Sequence, residues 1–197
     1  MPSLAAPRKL DELDAVNLML RNLSETPVSL LGPTARPTAQ KAEQMLAEES
    51  IDVQSQGWNF NTDRELVLHP NTDGEILLPD NILSFMPINE FSYRNLQENG
   101  NRLYDGDKSS FKFDGPVTIE AILARPWGNL PQPARWYIAV SAALRLYASE
   151  NPGGASTRLT AQDLEAAKVK IEHYDARLRK GGMRVHNPFM QRMRRNR

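Results

Sequence analysis

Between Ser50 and Pro70 the chain changes its hydrophobic period, and that change constrains the fold more than any other stretch. Upstream, Ala42, Leu46, Glu49 and Val53 fall at helical spacing, with Met45 beside them. Gly57 then supplies the residue best able to leave a helix through a left-handed conformation. Trp58 and Phe60 follow two apart, which predicts a strand carrying both rings on one face. Gly57, Trp58 and Phe60 are therefore the expected core of a domain junction, since buried aromatics mostly do packing work. Helical spacing returns only after Pro126.

On the helical side, Leu13, Val16, Leu20 and Leu23 form one stripe over Asp11–Leu23, with Asp11 or Asp14 suited to its positive N-terminal end. Pro27, Gly32, Pro33 and Pro37 mark a connection, and Thr38 is the expected cap of a second helix reaching about Gln56. After Pro126, Asn129 is a candidate cap, Pro131 sits near a first turn, and Ala134–Ser149 is rich in helix formers. Thr160-x-x-Asp163 resembles a capping box. Leu164, Ala167, Ile171, Tyr174 and Leu178 then mark one face, with Gly181-Gly182 as the expected stop.

Between these helices, Glu65–Leu68, Glu75–Leu78, Ile82–Met86 and Val117–Ala124 read as short strands bounded by Pro, Asn, Asp and Gly. Asp73-Gly74 and Asp105-Gly106 are the turn candidates. Helices this short are marginal alone in water. The economical architecture is α+β: a four-helix bundle built from both chain ends, an inserted antiparallel β-domain, and a C-terminal docking tail. The expected divisions are 1–57 and 127–180 for the bundle, 58–126 for the β-domain and 181–197 for the tail.

The 197 residues carry no net charge, but the zero is divided. Met183–Arg197 holds Arg184, Arg192, Arg194, Arg195 and Arg197 with no acid, a charge of +5. The rest holds all 24 acids and 19 bases, a charge of −5. A basic end on a mildly acidic body points to an acidic or polyanionic partner for the tail, whereas the body is no electrostatic trap for DNA. Val185, Phe189, Met190 and Met193 give the tail apolar anchors, the composition of a segment that folds onto a partner. The other reading of that end is a disordered, solubilising tail. No apolar run approaches the roughly 20 residues of a membrane span. With no leader-like start either, a soluble protein made in a cytoplasm is expected.

Little in the chain points to chemistry. There is no cysteine, and His69, His173 and His186 are scattered without a second ligand at metal spacing, so no metal or cofactor is expected. Nucleophile-elbow, P-loop and dinucleotide signatures are missing. Asp105-x-Asp107-x-Ser109 begins like a calcium loop but lacks the glycine at its sixth position and has Pro116 where the twelfth-position acid belongs. Asp105, Asp107, Asp114 and Glu120 are the carboxylates a glycoside-hydrolysing pair would draw on, and turn and strand charges are the plainer reading of them. No catalytic residue is assigned.

Several stretches together resemble a known family. Ala15-Val16-Asn17 followed by Glu25-Thr26-Pro27-Val28-Ser29 is similar to its A-V-N…E-x-P-V-S signature, and Ile51–Asn61 to its I-x-x-Q-S-x-G-W-x-F-N pattern. The similarity continues through Leu103-Tyr104-Asp105, Phe113-Asp114, Val117–Leu123 and Pro131…Arg135-x-Tyr137-Ile138, covering about Leu13 to Tyr174. The chain thus resembles the A-type tail tubular proteins, the adaptors that join portal to tail nozzle in short-tailed phages.

The resemblance implies a helical bundle with an inserted β-domain and a dodecameric ring around passing double-stranded DNA. It also implies a virion-tail location. The implied partners are the portal protein, the nozzle protein (tail tubular protein B) and tail fibres, with no membrane. Arg184, Val185, Phe189, Met190, Arg192, Met193, Arg194, Arg195 and Arg197 become the expected portal-docking residues, with Gly181-Gly182 as a hinge. Two other readings are a polysaccharide-degrading tail enzyme using β-domain carboxylates, and a DNA-binding module acting through the basic tail.

Overall fold

The computed structural model describes residues 8–151 and 158–186, with side chains through Arg179. The described residues form four α-helices and two small antiparallel sheets, a mixed α+β protein: α1 (Glu12–Asn22), α2 (Pro37–Ser55), β1 (Thr62–Leu68), β2 (Ile82–Pro87), β3 (Leu96–Asn99), β4 (Arg102–Asp105), β5 (Val117–Leu123), α3 (Gln132–Glu150) and α4 (Ala161–His186). They divide into two compact units, a helical one made of the described residues up to Val53 and from Pro126 onward, and a β one of Gln54–Arg125.

In the helical unit, α3 packs against both α1 and α4. Its sequence explains that central place: Ala134, Ile138, Ala139, Val140, Ala142, Ala143 and Leu146 are all buried, covering more than one face, and the alanines let neighbours approach closely. From α1, Ala15, Val16, Met19 and Leu20 are buried; from α4, Ala167 and Ile171. α2 is held to α3 by a buried carboxylate, for Glu49 accepts from Ser141 Oγ at 2.6 Å and from the Arg145 guanidinium.

Helix ends follow local chemistry. Asp11 caps α1 by accepting the Asp14 N–H at 2.7 Å. α1 closes with a Schellman turn, Glu25 N–H to Leu20 O and Ser24 N–H to Arg21 O, with Ser24 at φ +62° in the place glycine usually takes. The Thr160–Asp163 capping box forms in both directions: the Thr160 N–H reaches Asp163 Oδ2 at 2.8 Å and the Asp163 N–H reaches Thr160 Oγ1 at 3.3 Å. Two expected caps are displaced. α2 starts at Pro37, so Thr38 lies inside it, and Asn129 belongs to a 3-10 turn (Trp127–Asn129) while Pro131 holds the cap position of α3. The helical backbone of α4 also runs through Gly181-Gly182 to His186, where a stop and hinge were expected. Glycine there costs helix propensity, about 1 kcal/mol each, without ending the helix.

In the β unit, β5 is central in a sheet of order β1-β5-β2, antiparallel on both sides. Val117, Ile119 and Ala121 point into a core with Leu68, Ile76, Leu78, Leu96, Leu103 and Phe113. Both outer strands carry an irregularity, between Asp63 and Leu66 in β1 and between Ile82 and Ser84 in β2. β3 and β4 form a separate hairpin, with Gly100 at φ +68° opening its two-residue loop as a type II′ turn requires. Glu75–Leu78, an expected strand, makes only isolated bridges, from Glu75 to Lys112 and from Leu77 to Arg102. Asp73-Gly74 is a turn, with Gly74 at φ +78° and Asn71 accepting the Asp73 and Glu75 N–H groups.

The expected Trp58–Phe60 strand is a turn. The Asn61 N–H donates to Trp58 O, β1 begins at Thr62, and the two rings lie stacked 6.5 Å apart and half-buried. The period-two spacing belongs to the turn geometry, and the deeply buried side chains flanking it are Val53, Gln54 and Asn61.

Candidate functional site

Four polar residues of the similar motifs, Asn17, Gln54, Asn61 and Arg135, are staples that satisfy backbone groups of their own chain. Asn17, from the first motif, accepts the Val28 N–H at 2.8 Å and donates to Val28 O at 2.9 Å. Its amide thus pairs, strand-like, with the second motif and fixes the proline-rich connection against α1. Arg135, only 6% exposed, donates Nε to Leu130 O, one terminal nitrogen to Leu10 O and the other to Gly128 O, at 2.6–2.9 Å. Leu10 is further held by Trp127 Nε1 on its carbonyl and by Gln132 on its N–H. A buried guanidinium surrounded by carbonyls locks the chain before α1 to the start of α3.

The third staple closes the β unit. Gln54 leads into that unit and Arg125 leads out, and the Gln54 amide pairs with the Arg125 backbone both ways, accepting its N–H at 2.7 Å and donating to its carbonyl at 3.2 Å. Asn61, fully buried, donates to Gln54 O at 2.9 Å and to Leu123 O at 3.0 Å, and its Oδ1 accepts the Trp58 N–H at 2.9 Å. Gly57 must lie between them without a side chain. It sits at φ +75°, and a Cβ there would stand 2.7 Å from Ile122 Cδ1. Among the described residues no buried side-chain nitrogen or oxygen lacks a partner.

Two of the candidate carboxylates, Asp105 and Asp107, are tied into backbone turns. Asp105 is fully buried and ion-paired to Arg94, and its Oδ1 accepts the Asp107 and Lys108 N–H groups, so it organises a turn. Asp107 accepts the Asn95 N–H at 2.9 Å. Asp114 lines a shallow cavity of about 180 Å³ with Phe91, Arg94, Lys108 and Lys112, below the roughly 300–1,000 Å³ usual for ligand pockets. Glu120 stands on β5, on the sheet face opposite the core. Among the described residues no group of three His, Asp or Glu is placed to hold a metal, and no helix is long and apolar enough to cross a membrane.

Perturbed ionisation falls on structural contacts. Burial raises the Tyr137 phenol pKa, reinforced by Glu49, Asp52, Glu165 and Glu172. Hydrogen bonding to Glu49, followed by its charge, raises that of Arg145. The backbone and hydroxyl of Thr160 lower that of Asp163. The expected portal-docking side chains Arg184, Val185, Phe189, Met190, Arg192, Met193, Arg194, Arg195 and Arg197 lie outside the described residues.

The staples account for motif residues that sequence reasoning matched without explaining. Gln54 and Asn61 look like ordinary polar positions until Leu123 and Arg125 are brought beside them. Comparison with known proteins agrees with the motif pattern. A family model described as tail tubular protein matches residues 13–181. The tail tubular protein A of Klebsiella phage KP34 is 31% identical over 161 residues, which span 81% of this chain and 84% of that protein.

Proposed function

This chain belongs to the tail tubular protein family, structural components of phage tails, and from that premise we propose that it is the adaptor between portal and nozzle of a short-tailed phage. In this reading, copies form a ring, a dodecamer in the virion, around the DNA channel. The four helices of the two chain ends form a bundle, and Val185–Arg197 docks on the portal. The nozzle protein lies on the far side, tail fibres are further contacts, and the protein is made in the host cytoplasm.

The observation that carries this reading is the use made of the motif residues. Asn17, Gln54, Asn61 and Arg135 fix backbone segments, while of the candidate carboxylates Asp105 is buried in an ion pair, Asp107 holds a turn and Glu120 stands on the strand face opposite the core. Such a chain is built to hold a shape. A near-neutral body also suits a conduit through which DNA must slide.

The test is mass in solution, by light scattering or native mass spectrometry, with and without the cognate portal. Full-length protein is expected to join portal rings in large complexes, and protein ending at Gly182 is expected not to. Failure of the full chain to join the portal would remove the adaptor reading, and undiminished binding by the shortened chain would remove the docking role of its end.

A further inference from the structure

The unit boundaries sharpen the charge division. Gln54–Arg125 contains eleven carboxylates against six cationic side chains, leaving −5, and Met183–Arg197 carries five arginines and no acid, +5. The remaining 110 residues hold thirteen of each sign. All of the chain's charge imbalance therefore lies between its β unit and its C-terminal end.

The β unit also has an uncovered face. Directly opposed residues of an antiparallel pair share a face, so Val67 (opposite Thr118) and Met86 (opposite Glu120) lie with Thr118 and Glu120 on the side away from the core. Val67 is 46% and Met86 63% exposed, flanking the Glu120 carboxylate with apolar surface. The outer strands differ as well. Both carry an irregularity, but β1 also bears Asp63, Arg64 and Glu65, charges that guard a sheet edge, whereas β2 (ILSFMP) has no charged side chain and only its terminal Pro87 as a guard.

We propose that this face, approached over β2, seats residues 187–197 of a second copy of the chain. Phe189, Met190 and Met193 supply apolar groups for Met86 and Val67, and Arg192, Arg194 and Arg195 supply cations for Glu120 and for the net negative charge of the unit as a whole. Eleven residues reach at most about 36 Å when extended, more than the roughly 23 Å length of a seven-residue strand. The two surfaces differ and sit on one chain, so the contact is heterologous and repeats head to tail. It rests on the adaptor reading only for its closure into a ring, and a portal that takes up the same segment displaces it.

The chain has no cysteine, which makes disulfide trapping direct. Single variants Met86→Cys and Met190→Cys of the full chain are mixed at low salt under mild oxidation, and mixed dimers are measured by mass. Leu77→Cys, 53% exposed and outside that sheet, replaces Met86→Cys as the control. The Met86 pairing is expected to form several times faster than the control. It should slow when Glu120→Lys is added and at about 0.5 M salt, where charge attraction is screened.

Equal rates for Met86→Cys and Leu77→Cys would overturn the proposal. So would trapping that occurs only within a chain carrying both cysteines and never between mixed single variants. Portal binding measured alongside keeps the two readings apart, since a chain that cross-links normally but never joins the portal would refute the adaptor role alone.

Discussion

Asn61→Ala removes, from a fully buried position, a side chain that satisfies the carbonyls of Gln54 and Leu123 and the N–H of Trp58. Each bond is worth about 1 kcal/mol net, and each buried group left without a partner costs about 1–3 kcal/mol. A water entering the vacated space recovers part of this. The expected loss is about 3 kcal/mol, on the order of a hundredfold in the opening equilibrium of the β unit at about 1.4 kcal/mol per tenfold.

The assay is hydrogen exchange on the full chain, reading amides of β1 and β5, with α3 as internal control. Exchange in β1 and β5 should quicken about a hundredfold while α3 changes little. Asn61→Asp adds a pH signature. Its Oδ1 still accepts from Trp58, but the carboxylate faces two carbonyl oxygens, so its pKa is raised above the ordinary value of about 3.9. With both states protonated below about 3.9 that penalty vanishes; it grows as pH rises toward the raised folded value and is constant above it. Exchange in Asn61→Ala within about threefold of the parent, or no such added pH dependence in Asn61→Asp, would refute the view that this residue clasps the unit.

Gly57→Ala is expected to cost about 2 kcal/mol, from the left-handed φ and displacement of Ile122, and Ile122→Val in the same chain should relieve roughly half by removing Cδ1. Urea unfolding of the single and double variants measures the coupling. Arg145→Met leaves Glu49, 4% exposed, without its guanidinium and should cost about 2 kcal/mol, discounted from the 3–5 of a fully buried pair because Arg145 is half exposed. Glu49→Gln, which removes the charge itself, should cost less, and thermal unfolding of the two variants checks the order. Thr160→Val should return the Asp163 pKa toward 3.8, read by NMR titration. In the parent, the stabilisation by Asp163 is present above its unfolded value and lost as pH falls through its lowered folded one, so the start of α4 should fray under acid.

Elements whose signals are local are legible in the sequence. The Asp11 cap and Leu stripe announce α1, the Thr160–Asp163 box announces the start of α4, and the alternation of Val117–Leu123 announces β5. β3 is not legible, because Leu96–Asn99 offers one apolar residue; only Gly100-Asn101, a good first pair for a hairpin loop, points to it. Two residues at period two, Trp58 and Phe60, are too few to separate a strand from a turn. The staples stay hidden for a different reason. Gln54 meets Arg125 across 71 positions and Arg135 meets Leu10 across 125, so polar side chains that end up buried read as solvated ones.

Gln54 holds the two ends of the 72-residue β unit within a hydrogen bond of each other. To the helices, an insert with pinned ends is a closed loop whose length hardly matters, because each doubling of a flexible loop costs only about 0.6 kcal/mol. Strands and turns beyond the Gln54–Arg125 pair are therefore free to be lengthened, trimmed or exchanged while the helical unit folds as before. The clasp makes the β unit a replaceable cassette, and variation among tails that must meet different neighbours has a place to accumulate without disturbing the frame that carries it.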